Sequence, residues 1–132
     1  MNKGLKLHLS NLLEDTIINV SSISGGDISQ AYKVDTSNSA YFLKLNSVNA
    51  LNMYKTEAYG LDLIAKTNTI KTPNIIAFDK FENSAFLLMD FIESKRASAK
   101  DYEILGEQLA ALHKCASDNF GLNKDNYIGS LP

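Results

Sequence analysis

"SISGGDISQAYKV", residues 22–34, sets the pair Gly25-Gly26 between two runs that read as strands. Glycine weakens a strand because it loses the most backbone entropy and packs nothing. A pair of them therefore marks a turn, or a place where backbone lies close to something else. Upstream, "TIINVSSIS" (16–24) is β-branched and reads as a first strand; downstream, "SQAYKVDT" (29–36) reads as a second. The turn alone does not say whether the loop is a plain hairpin or one built to lie against a phosphate. The residues that follow decide.

After the turn "TSNS" (36–39), "AYFLKLN" (40–46) makes a third strand. From Val48 to about Lys66 the spacing becomes helical: Ala50, Tyr54, Ala58, Leu61, Ile64 and Ala65 share one side, and Lys55, Thr56, Asp62 and Lys66 are polar. "TNT" (67–69) stops this helix, and Pro73 drives its neighbour into an extended conformation. "NIIAFDKF" (74–81) and "SAFLLMDFIE" (84–93) then form a hairpin turning at Glu82-Asn83. Ser98 with Asp101 resembles a capping box that opens a helix to about Ala116, and residues 117–132 form a loop tail. At the other end, "LKLHLSNLL" (5–13) fits a short helix or an extended arm equally well. The order βββαββα with short connections predicts an α+β domain built on an antiparallel sheet.

Composition sets the outer bounds. A chain of 132 residues with 45% hydrophobic and 21% charged residues reads as one globular domain with a genuine core. Thirteen basic residues against 15 acidic give a net charge of −2, which leaves no basic surplus to drive nucleic-acid binding. No apolar run approaches the roughly 20 residues needed to span a bilayer, and "MNKGLKLHLSNLLED" is too broken for a signal peptide. Cys115 is the single cysteine and cannot form an internal disulfide, so the cytoplasm is the expected compartment.

Two charges break the binary pattern. The third strand places Phe42, Lys44 and Asn46 on one face and Tyr41, Leu43 and Leu45 on the other, with a lysine at its centre. On the long helix, Glu57 has Ala50, Tyr54, Leu61 and Ile64 at helical spacing, which places a carboxylate on the apolar stripe. Unpaired charges are seldom buried, so the economical arrangement is that the two pair with each other. The plainer alternative lets Lys44 snorkel from the sheet edge and leaves Glu57 at the rim of the stripe. A glycine turn between two strands, a lysine on the third strand and a glutamate on the next helix form an ordered set. It resembles the N-terminal lobe of protein kinase-like folds, where backbone N–H groups and one fixed ammonium balance the charge of a triphosphate. "GGDISQ" (25–30) is not a Walker A loop, since no Gly-Lys-Ser/Thr follows, and it lacks the full protein-kinase glycine pattern.

"ISGGDISQAYKV", "YFLKLN", "EAYGLDLIAKTNTIKTPNIIAF", "LGEQLAALH" and "FGLNKDNYIGSLP" together resemble the fructosamine (ketosamine) kinase family, relatives of the aminoglycoside phosphotransferases. The resemblance runs from about Ser22 to Pro132. It implies a protein kinase-like N-terminal lobe, a five-stranded antiparallel sheet with one long helix, over residues 1–93. Residues 94–132 would be a linker and the first helix of a second lobe. It also implies ATP-dependent phosphorylation of the sugar of ketoamines, on small molecules or on glycated protein lysines, as a deglycation repair. Gly25, Gly26, Asp27, Ile28 and Ser29 would cover the phosphates, Lys44 would contact the nucleotide, and Glu57 would hold Lys44. Met89, Asp90, Phe91 and Ile92 would line the adenine pocket, backbone groups of Asp90 to Ile92 reading the base edge; the family commonly has Glu where Asp90 stands. The "FGLNKDNYIG" tail would lie near the cleft.

One part of the family pattern is not here. The family's catalytic base comes from a His-Gly-Asp-type loop, and neither His8 nor His113 precedes such a pair. The resemblance therefore implies a fragment without base or Mg2+ ligands, inactive alone, the metal being held in a C-terminal lobe. His113 and Cys115 fall short of a metal site and read as a helix-terminal histidine and a packed thiol. The stripe Tyr102, Leu105, Leu109, Leu112 reads as core, part of which would face the second lobe and could drive self-association. Glu93 to Lys100 reads as a solvated loop. Two other functions remain open at this point: a non-catalytic α+β ligand-binding module, and an aminoglycoside- or choline-kinase-like phosphotransferase. Nucleotide binding separates the first, and acceptor identity the second.

Overall fold

The computed structural model describes residues 1–24, 28–129 and 131. Among them lie α1 (Lys3–Leu13), β1 (Ile17–Ile23), β2 (Gln30–Thr36), β3 (Ala40–Ser47), a 3-10 turn (Val48–Ala50), α2 (Leu51–Lys66), β4 (Ile75–Phe81), β5 (Ser84–Asp90) and α3 (Ala99–His113). The strands form one five-stranded sheet in the order β1-β2-β3-β5-β4, every neighbouring pair antiparallel. This is the α+β architecture expected from the sequence.

The segment left open at the N-terminus is a helix. Asn2 caps it, its side chain accepting the Leu5 N–H at 2.7 Å, and Glu14 at φ 52° closes its C-terminal end. It buries Leu5 and Leu9 against Ile17, Val34, Leu43, Phe86 and Leu88. On the opposite face, α2 buries Tyr54 and Ala58 against Ala85, Leu87 and Met89. The sheet thus carries a helix on each face, not on one alone. The apolar run Ala85–Met89 in β5 follows from this: alternate side chains enter opposite cores, so none can be polar.

Three boundaries differ from the sequence expectation. Residues 48–50 form a 3-10 turn, tied to the β4–β5 hairpin by the Val48 N–H to the Asn83 carbonyl at 3.0 Å. β5 ends at Asp90, whose N–H bonds to the Asn74 carbonyl at 3.0 Å. α3 ends at His113, tightened by the Lys114 and Cys115 N–H groups bonding to the Ala111 and Leu112 carbonyls. Its N-terminus carries the expected capping box between Ser98 and Asp101.

The apolar stripe of α3 is not core. None of its residues is buried, and Tyr102, Leu105 and Leu109 are all exposed, because nothing among the described residues packs on that helix face. Cys115 is likewise exposed rather than packed. No described helix is long and apolar enough to cross a membrane.

Candidate functional site

Strand β3 lies inside the sheet, and Lys44 sits at its centre between Ala31 of β2 and Leu87 of β5. Its stem rises from the α2 face of the sheet and its ammonium passes 5.8 Å from the centre of the Tyr54 ring. Glu57, one helical turn beyond Tyr54, meets it: Lys44 Nζ donates to Glu57 Oε1 at 2.9 Å and to Oε2 at 2.7 Å. The two side chains keep 26% and 31% of their surface, so water reaches the pair. An ammonium has three N–H donors. Both carboxylate oxygens occupy two of them, and the third has no acceptor among the described residues.

The pair lies in the wall of an open cavity of about 600 Å³. The sheet contributes Ala31, Phe42 and Met89, and α2 contributes Met53, Thr56, Gly60, Leu61 and Ile64. Ile28 and Ser29 also line it, as do Asn126, Tyr127 and Gly129 of the C-terminal tail. The tail is fastened to α2, with Asn52 Nδ2 donating to the Tyr127 hydroxyl at 2.9 Å and the Lys124 ammonium 4.7 Å from the Tyr59 ring centre. The lining is mostly apolar, with the Lys44–Glu57 ion pair as its charged part, and suits a flat apolar body whose anionic group meets the ammonium.

The residues proposed from the sequence divide into three groups. Lys44, Glu57, Ile28, Ser29 and Met89 converge on the cavity. Asp90, Phe91 and Ile92 are not among its lining residues. The Asp90 N–H bonds to the Asn74 carbonyl at 3.0 Å, its carboxylate accepts from Asn74 Nδ2 at 2.6 Å, and the Phe91 N–H bonds to the Ala40 carbonyl at 3.2 Å. Lys33 sits 4.8 Å over the Phe91 ring and reaches Asp35 at 3.3 Å and Glu93 at 3.4 Å. Those carboxylates, Asp35 first, raise the lysine's pKa. The strand exit is thus held on both sides, and the Ile92 N–H has no acceptor among the described residues. Gly25, Gly26 and Asp27, the third group, lie outside the described residues.

The sequence pattern marks Tyr54 only as core and gives Asn46 no role. The fully buried Tyr54 donates its hydroxyl to Ser29 Oγ at 2.9 Å. Burial raises its pKa, with the Glu57 charge adding to the rise and the Ser29 bond opposing it, so the phenol stays protonated. Asn46 Nδ2 donates to the Ile28 carbonyl at 2.7 Å. Asn46 stood on the same strand face as Lys44, the one signal that could have found it.

The fructosamine kinase family model matches residues 1–132. The chain belongs to the fructosamine kinase family. A probable ketoamine kinase of Vibrio parahaemolyticus is 34% identical over 110 residues, 82% of this chain and 38% of that protein. The chloroplastic protein-ribulosamine 3-kinase of Oryza sativa subsp. japonica is 37% identical over 119 residues, 88% of this chain and 34% of that protein. Among solved structures, a candidate fructosamine-3-kinase of Haemophilus somnus superposes with a TM-score of 0.85 at 23% identity, covering 96% of this chain and 44% of that one. Spectinomycin phosphotransferase, crystallised with ADP and spectinomycin, superposes with a TM-score of 0.63 at 19% identity over 89% of this chain and 39% of that one. The fold is therefore the protein kinase-like one of these phosphotransferases, and this fructosamine kinase family chain spans well under half the length of the relatives it matches.

Proposed function

We propose that this chain is the nucleotide-binding lobe of an ATP-dependent kinase that phosphorylates the sugar of ketoamines, on small molecules or on glycated protein lysines. The observation that carries the reading is the bidentate Lys44–Glu57 pair in the wall of a mostly apolar cavity. Glu57 orients the ammonium by both oxygens, and the remaining N–H is the one we assign to balancing phosphate charge as it shifts in transfer. Ala31, Phe42 and Met89 offer an apolar seat for a base. The unclaimed Ile92 N–H is the group we assign to its polar edge, with Asp90 and Phe91 holding that segment in place. Ile28 and Ser29 stand where the loop carrying Gly25, Gly26 and Asp27 would meet the phosphates. The ADP complex of spectinomycin phosphotransferase supports nucleotide binding by this fold.

Among the described residues, no group of three or more His, Cys, Asp or Glu could hold a metal ion. We assign Mg2+, and the base that takes the acceptor's proton, to a second lobe of the kind the longer relatives have room for. The test is steady-state kinetics of the full-length protein with MgATP and a fructosamine. Lys44→Ala should lower turnover by about two to three orders of magnitude, the scale of removing one preorganised charge donor, while the protein stays folded. Wild-type turnover in a folded Lys44→Ala protein overturns the reading.

A further inference from the structure

Ser29 is gripped by two side chains that the reading above leaves without a task. Its Oγ accepts the Tyr54 hydroxyl at 2.9 Å, and Asn46 Nδ2 lies 3.4 Å from the same oxygen. The same Nδ2 donates to the Ile28 carbonyl at 2.7 Å. The orientation of the amide is fixed, because Asn46 Oδ1 accepts the Ser47 N–H at 2.7 Å. Neither support is loose: Asn46 belongs to β3, and the Tyr54 ring is fully buried in the core under α2.

A serine hydroxyl has two acceptor lone pairs and one proton. Tyr54 and Asn46 address the lone pairs, so the proton is what Ser29 has left to offer. Ser29 lines the same cavity as Lys44. We propose that Tyr54 and Asn46 are positioning residues that hold the Ser29 hydroxyl as a hydrogen-bond donor to the phosphate group bound at Lys44. The cavity then presents an ammonium and a hydroxyl at a spacing set by one helix. Tyr54 neighbours both, since its ring centre lies 5.8 Å from the Lys44 ammonium and its hydroxyl ends on Ser29, while Glu57 follows one turn later. The proposal rests on the phosphate-binding reading of Lys44.

The test compares Tyr54→Phe, Asn46→Ala, Ser29→Ala, Ser29→Thr and the Tyr54→Phe/Ser29→Ala double variant in the full-length protein, with MgATP and a fructosamine. Tyr54→Phe keeps the ring and removes only the hydroxyl. It should raise KM for MgATP about tenfold, the scale of one hydrogen bond to a charged group, with KM for the fructosamine and Tm unchanged. Asn46→Ala should move KM for MgATP in the same direction by less, its contact being longer. Ser29→Ala should match Tyr54→Phe, the double variant should be no worse than either single, and Ser29→Thr, which keeps the hydroxyl, should have a lower KM for MgATP than Ser29→Ala. A wild-type KM for MgATP in Tyr54→Phe, or additive effects in the double variant, overturns the proposal. So does a rise of both KM values together with a fall in Tm. Lys44→Ala separates the two claims. If it abolishes turnover while Tyr54→Phe behaves as wild type, the positioning role alone fails; if Lys44→Ala retains wild-type turnover, both fail.

Discussion

Lys44 and Glu57 stand where neither the strand nor the helix pattern wants a charge, and their pairing removes the conflict. Pattern alone also allowed both to lie at the rim, and the distances of 2.7 and 2.9 Å decide between the two. Their energetic weight is small despite the good geometry. With about a quarter to a third of each side chain in contact with solvent, the pair contributes about 1 kcal/mol or less to folding. Glu57→Gln should therefore leave Tm nearly unchanged while lowering phosphoryl transfer, by less than Lys44→Ala, because the ammonium survives and loses only its orientation. Thermal melts beside steady-state kinetics check this. A drop in Tm with unchanged turnover would make the pair structural. Single residues are legible in the sequence where they break a pattern. They are hidden where they keep one, as Tyr54 does: its ring sits in the core as the stripe requires, and only its hydroxyl has further work.

Among the elements, α1 and α3 are opposites. Leu9 of α1 is fully buried against the sheet, so Leu9→Ala should cost about 2–5 kcal/mol in denaturant melts. Leu105 of α3 is exposed, and Leu105→Ala should stay within about 0.5 kcal/mol. The periodicity of both segments is apolar, and nothing local tells which has a partner. At the start of α3, the Lys95 ammonium, then the Ser98 backbone and hydroxyl, hold the Asp101 carboxyl well below the usual carboxylate range. A folded-state pKa below the unfolded value of about 3.9 means that its contribution is complete above that pH. It fades only as pH falls through the lower, folded value. Asp101→Asn should thus speed amide exchange in the first turn of α3 equally at pH 6 and pH 8, and the difference from wild type should vanish only in strong acid. A difference that changes between pH 6 and 8 would assign the protection to another group.

At the scale of the whole molecule, the cavity exists only because four distant parts of the chain meet. These are residues 28–29, the α2 face of β2, β3 and β5, one side of α2, and residues 126–129. The charge-positioning parts proposed here lie in this chain, and the metal and base are the parts proposed for a second lobe. The 132-residue chain by itself should accordingly give no ATP-dependent phosphorylation of a fructosamine, whereas the full-length protein should. Turnover by the chain alone, above that of its Lys44→Ala variant, would show that the parts assigned elsewhere are already present. What the sequence by itself determined was local: the strands and helices around the glycine pair, the α3 capping box, and two charges that needed each other. Each of these is written in spacing along a short stretch, where period and side-chain type act within a few residues. Only the tertiary structure decided that α1 covers the second face of the sheet, that Asp90 and Phe91 spend their N–H groups on Asn74 and Ala40, and that Tyr54 and Asn46 hold residues 28–29. Periodicity says which side of an element is apolar or polar, but not what lies opposite. The partner is fixed by packing between residues far apart in the chain.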